Sequence, residues 1–146
     1  MTVEHTTTLG ESPECVFAAL TNSAEITRWW GDDSIYRMTE VRQDLHAGGE
    51  AVYCGKAANG AEFGSIGLTR ACDAPRMLEY TRVYSGGVPC AEETVIRYEL
   101  EPNENGTTLR ITHSGFQTEE MAAQHKHGWE RACDWLSRYL RSVPSR

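Results

Sequence analysis

The chain has no surplus of positive charge. Its 14 lysines and arginines are outnumbered by 21 acidic residues, giving a net charge of −7. Nucleic acid and anionic membrane surfaces are disfavoured by that balance, so neither is expected as a partner. No apolar run reaches the roughly 20 residues of a membrane-spanning helix. The opening MTVEHTTTLG lacks the regions of a signal peptide. A cytoplasmic protein is therefore expected. Cysteine is sparse and odd in number, five in all with no Cys-x-x-Cys pair. That argues against a disulfide framework or a zinc spacing and favours reduced, packed thiols. No repeat, low-complexity tract or linker interrupts the chain. Residues 1–146 are read as one domain, long enough for a real core.

What the sequence does have is a long helical stretch, Thr118 to Leu140. Met121, His125, Gly128, Trp129, Ala132, Leu136, Tyr139 and Leu140 recur at three- and four-residue steps, which places them on one side of a helix. Thr118 suits the N-cap, and Glu119 and Glu120 complement the positive end of the helix dipole. The stripe is wide and aromatic, and it contains a glycine and a histidine. The spacing predicts a helix packed on a sheet, with Gly128 and His125 where packing is incomplete.

The rest of the chain reads in order as strand, two short helices and a run of strands. Val3 to Leu9 is a threonine-rich edge strand. Ser12-Pro13-Glu14 starts one helix, and Asn22 with Glu25 forms a capping box for a second, which carries Ile26, Trp29 and Trp30 and ends at Gly31. Strands are predicted at Tyr36–Arg42, Glu50–Lys56, Ala61–Cys72, Met77–Tyr84, Glu92–Glu101 and Thr107–Phe116. Asn59-Gly60 and Asn105-Gly106 are hairpin turns, and Ser85–Pro89 is a loop. Gly64 and Gly67 interrupt a strand, which predicts a bulge or the close approach of another backbone. The order is β-α-α, five or six antiparallel strands, then a helix. One helix cannot cover so wide a sheet, and the space left is where a pocket is expected.

Ser12-Pro13-Glu14, Val16-Phe17, Ala19-Leu20-Thr21, Trp29-Trp30-Gly31, Gly48-Gly49, Gly106-Thr107, His113-Ser114-Gly115-Phe116 and Gly128-Trp129 carry a resemblance. In order and spacing they resemble the START-like (SRPBCC, helix-grip) superfamily, and more narrowly its AHSA-type branch, named for activators of the 90-kDa heat-shock protein ATPase. The resemblance runs from about Val3 to Leu140. It implies an α+β helix-grip fold, a curved antiparallel sheet around the C-terminal helix, with an internal and mostly apolar cavity. It also implies a choice among lipid and hormone carriers, polyketide cyclases and chaperone activators, with no catalytic set common to the branch. The eukaryotic chaperone activators carry a further N-terminal domain, for which these 146 residues leave no room.

No catalytic residue, cofactor or metal site is predicted. His125 and His127 point about 200° apart on a helix and cannot share an ion. Cys133 lies two turns, about 12 Å, from His125, too far for a nucleophile–base pair. His113 and His125 fall on apolar faces, where each ring nitrogen needs a partner. They are either satisfied core groups or ligand contacts. The expected cavity is bounded by Trp29 or Trp30, Tyr53, Tyr80, Tyr98, His113, Met121, His125 and Trp129. The leading function is binding of a small apolar or amphipathic molecule there. The alternatives are an enzyme of cyclase, hydratase or hydrolase type using the same cavity, and a chaperone-cofactor-like interaction module. A homodimer is compatible with all three.

Overall fold

The computed structural model describes residues 1–85 and 92–143. Strand β1 (Thr2–Leu9) leads into α1 (Pro13–Thr21) and α2 (Ser23–Trp29). Ser12 caps α1, its hydroxyl accepting from the Cys15 amide at 3.2 Å, and Pro13 follows where a helix needs no N–H. Asn22 ends α1 and begins α2, its side chain accepting from the Glu25 amide at 3.2 Å. One residue thus serves two helices, which is why no linker separates them.

The chain continues through β2 (Gly31–Asp32), β3 (Tyr36–Gln43), β4 (Glu50–Ala57), β5 (Glu62–Asp73), β6 (Met77–Ser85), β7 (Thr94–Asn103) and β8 (Gly106–Ser114). It closes with α3 (Glu119–Ser142), capped by the Thr118 hydroxyl. The strands form one curled antiparallel sheet in the order β1-β8-β7-β6-β5-β4-β3-β2. This is an α+β helix-grip fold, with β1 at the edge that its composition predicts. Two details differ from the sequence reading. The two-residue β2 is too short to leave a periodic signal. Strand β7 begins at Thr94, not Glu92, because Glu92 and Glu93 are exposed ahead of the first ladder pair. Most of the loop predicted at Ser85–Pro89, and Cys90, lie outside the described residues; Ser85 itself closes β6.

The glycines of β5 mark where the sheet bends. A Cβ on Gly67 would overlap the backbone carbonyl of Thr81 on β6, and one on Gly64 would stand 3.0 Å from the Tyr53 carbonyl. The β5–β6 register breaks between Thr69 and Ala71, a bulge of the kind that tightens curvature. Gly67→Ala is expected to destabilise by about 1–3 kcal/mol, since the obstacle is backbone and cannot rotate away. Urea unfolding of the variant checks this.

Alternation places the core. Thr94, Ile96, Tyr98 and Leu100 of β7, with Leu109, Ile111 and His113 of β8, are buried on the face that meets α3. From α3 come Trp129, Ala132, Cys133, Leu136 and Leu140. The helix is anchored towards the β1 side, where the Lys126 ammonium donates to the Glu4 carbonyl at 2.9 Å, and towards α2, where the Tyr139 hydroxyl donates to the Glu25 carboxylate at 2.9 Å. Its closest neighbours are β1, α1 and α2. Helix α2 packs on β3, and space remains between α3 and the inner face of β3–β6. Among the described residues no helix is long and apolar enough to cross a membrane.

Candidate functional site

A cavity of about 320 Å³ lies between α3 and the inner face of β3–β6. Strands β3–β6 supply Met38, Tyr53, Phe63, Arg82 and Tyr84, and α3 supplies Gln124, His125, Gly128 and Trp129. Trp30, Ile35 and Tyr36 close the side next to α2. The walls are therefore aromatic, with one charged group among them.

Gly128 gives the clearest local explanation. It stands in mid-helix, and a Cβ built there would meet nothing within 4 Å. Close approach of the sheet, which a helical glycine often signals, is not its reason. The position faces open space in the cavity wall.

The expected residues divide into wall and backing. Trp30, Tyr53, His125 and Trp129 line the cavity. Trp29 does not. It stacks behind Trp30 at 5.1 Å between ring centroids, and its indole N–H donates to the Ala19 carbonyl at 2.8 Å. Tyr80 and Tyr98 are fully buried one layer back, where their hydroxyls bond each other at 2.9 Å. Met121 sits half-buried one turn before His125 and is not part of the wall. His113 is fully buried and also lies behind the wall, and its neighbours use both ring nitrogens.

The tautomers of both histidines follow from their partners. The Trp129 indole donates to His113 Nδ1 at 3.0 Å, so the proton is on Nε2, which donates to the Thr94 hydroxyl at 2.8 Å. Burial first, then the Arg82 charge and His125, push the His113 pKa down to about 2, so the ring is neutral. His125 Nδ1 meets the Met121 carbonyl at 2.8 Å and must be the donor. Its Nε2 then accepts from the Tyr84 hydroxyl at 3.0 Å. Burial lowers the pKa of His125 as well; the bond to Met121 opposes the shift and Arg82 adds to it.

Arg82 is the residue that sequence reasoning missed. It is 6 % exposed, and its guanidinium lies 5.4–6.0 Å from the ring centres of Tyr84, Tyr53, Trp129 and Tyr80. Nη1 donates to the Tyr84 hydroxyl at 3.0 Å, and Nε has no partner among the described residues. The signal was present in β6. Leu78, Tyr80, Arg82 and Tyr84 alternate onto one face, and an arginine in such a series is either unpaired or functional.

Among the described residues no cluster of three histidines, cysteines or acids is placed to hold a metal ion. Among the described cysteines, Cys54, Cys72 and Cys133 are free thiols. Only Cys133 is buried, and burial pushes its pKa up to about 12. Cys15, Cys54 and Cys72 are half-exposed, and Cys15 and Cys72 still pack against the core.

The model of the family described as Activator of Hsp90 ATPase homolog 1-like protein matches residues 11–141. No curated protein matches the chain by sequence. Solved structures share the fold at low identity. One from Rhodobacter sphaeroides is 24% identical with a TM-score of 0.84, over 98% of this chain and 93% of that one. An AHSA1 protein from Silicibacter pomeroyi is 19% identical with a TM-score of 0.83, over 97% and 98%. An AHSA1-like protein from Aeromonas hydrophila is 24% identical with a TM-score of 0.78, over 100% and 99%.

Proposed function

The chain belongs to the family of Activator of Hsp90 ATPase homolog 1-like proteins, and from that premise we propose that it binds a small, mainly apolar molecule between α3 and β3–β6. The observation that carries this reading is Gly128. A glycine in a helix interior costs about 0.5–1 kcal/mol relative to alanine, and nothing around this one forbids a methyl group. Packing gives no reason for the gap, whereas an occupant does. The cavity is at the lower end of the usual ~300–1,000 Å³ range for ligand sites, which suits a one- or two-ring compound or a single short chain.

An enzyme using the same cavity needs a group free to take or give a proton. His113 is set back from the cavity, and both nitrogens of each histidine are engaged, so binding is favoured over turnover. A chaperone-cofactor role calls for a broad exposed apolar patch. Ile66 and Leu68, both exposed on β5, are a small part of one, and the binding reading is preferred.

Titration with fatty acids, flavonoids and aromatic ketones, followed by tryptophan fluorescence, tests the proposal, because Trp30 and Trp129 are walls. Gly128→Leu is expected to fill the space and abolish binding while the circular dichroism stays native. Saturable binding that survives in this variant places the ligand elsewhere. Gly128→Ala is expected to raise stability by about 0.5–1 kcal/mol, read from the urea midpoint.

A further inference from the structure

We propose that the ligand carries a single carboxylate and that Arg82 is the residue that receives it. This rests on the binding reading and specifies its chemistry.

Burying a guanidinium is unfavourable unless a counter-charge accompanies it. Arg82 is more than nine-tenths buried, yet no Asp or Glu among the described residues forms an ion pair with it. The segment 86–91 that follows β6 contains no acidic residue. The other buried charged side chain of the core, Glu25, is bonded to Tyr139. What surrounds Arg82 is a set of aromatic rings and one hydroxyl. Those contacts partly offset desolvation, but they leave Nε without an acceptor in a wall of the cavity.

The hydroxyls beside the guanidinium are already committed, while Tyr36, Ser65 and Gln124 add only neutral polar groups to the lining. The Tyr84 hydroxyl donates to His125 and accepts from Arg82, and the Tyr53 hydroxyl donates to the Gln43 side-chain oxygen at 2.7 Å. The one charged donor in the lining is therefore the guanidinium. A planar carboxylate matches its fork geometry and cancels its single charge. A phosphate monoester would bring nearly two charges against one, leaving an excess anion among apolar walls. The apolar remainder of the ligand would lie along Trp30, Met38 and Phe63.

The test uses two matched pairs of probes: decanoate against 1-decanol, and 2-naphthoate against 2-naphthamide. Affinity is read by tryptophan fluorescence and calorimetry on the full chain. The wild type is expected to prefer the carboxylate of at least one pair by roughly tenfold or more, the usual worth of a charge-assisted bond. Arg82→Met is expected to remove that preference while still binding the neutral partner. Arg82→Lys is expected to keep part of it. A purely structural Arg82 predicts instead that the substitution weakens both members of a pair equally. If Arg82→Met fails to fold, the preference of the wild type and its partial reduction in Arg82→Lys decide the matter. Equal binding of acid and neutral partner by the wild type overturns the carboxylate assignment and leaves the cavity reading intact. No binding of any of the four probes overturns both.

Discussion

Trp129→Ala is expected to destabilise the protein by about 3–5 kcal/mol, the range for deleting a large buried aromatic. The indole is 5% exposed and sits where three parts of the fold meet. Its ring lies 6.0 Å from Tyr98 on β7, 5.9 Å from His113 on β8 and 5.7 Å from Trp30 after α2. Truncation empties that junction and also leaves His113 Nδ1 with no donor. An unsatisfied buried acceptor adds about 1–3 kcal/mol unless water enters from the cavity. Against a typical total of about 5–15 kcal/mol the loss is severe. Trp129→Phe keeps most of the bulk and loses the N–H, so it should fall between the wild type and alanine. An unchanged urea midpoint for Trp129→Ala would show that α3 does not dock by this face.

The elements were legible where one physical signal dominated. The α3 stripe, the Ser12 and Asn22 caps and the Asn59-Gly60 turn are local and appear at their expected places, and the turn expected at Asn105-Gly106 falls one residue earlier, with Gly106 opening β8. The strand faces were legible too, because a register shift by one residue would turn Ile96, Tyr98 and Leu100 into solvent. What periodicity could not divide was the inner face of the sheet into core and cavity wall. Tyr53 on β4 and Tyr80 on β6 stack nearly parallel at 5.6 Å across β5, yet one lines the cavity and the other backs it. That division depends on where α3 crosses the sheet, which is a tertiary property. Trp29 and Trp30 show the same limit at the end of one short helix. Trp29 is turned towards α1 by its bond to Ala19, and Trp30 is left as the wall.

Arg82 shows a different limit. A buried charge was visible in the alternation of β6, but ordinary usage makes arginine a surface residue, and tyrosine is the conspicuous member of that series. Once placed, Arg82 reorganises the account of the histidines. It lies near enough to both rings to disfavour a second positive charge there. The hydrogen bonds from Arg82 to Tyr84, from Tyr84 to His125 and from His125 to the Met121 carbonyl then run in one direction, tying β6 to α3 across the cavity.

Acid is expected to destabilise the protein steadily between pH 6.5 and 4.5, and His113 is the main cause. In the unfolded chain its pKa is the ordinary 6.5, whereas in the fold it is pushed down to about 2. The unfolded state therefore binds a proton that the folded state refuses. A depressed folded pKa gives stability that is complete above pH 6.5 and is lost progressively as pH falls towards 2. The slope approaches about 1.4 kcal/mol per pH unit, so the loss between pH 6.5 and 4.5 is about 2–3 kcal/mol. His125 shifts in the same direction and steepens the fall. The groups facing His113 reinforce this. Arg82 and His125 are cationic or able to become so, Trp129 is a donor to Nδ1, and Thr94 accepts from Nε2. Protonating Nδ1 would set N–H against N–H at Trp129. Urea midpoints at pH 7.5, 6.5, 5.5 and 4.5 measure the slope. In His113→Gln the slope over this window should shrink by most of one proton, whatever the starting stability of the variant. A wild-type stability that stays flat from pH 6.5 to 4.5 would mean that His113 accepts a proton in the fold, and that the Trp129 bond is not what holds it neutral.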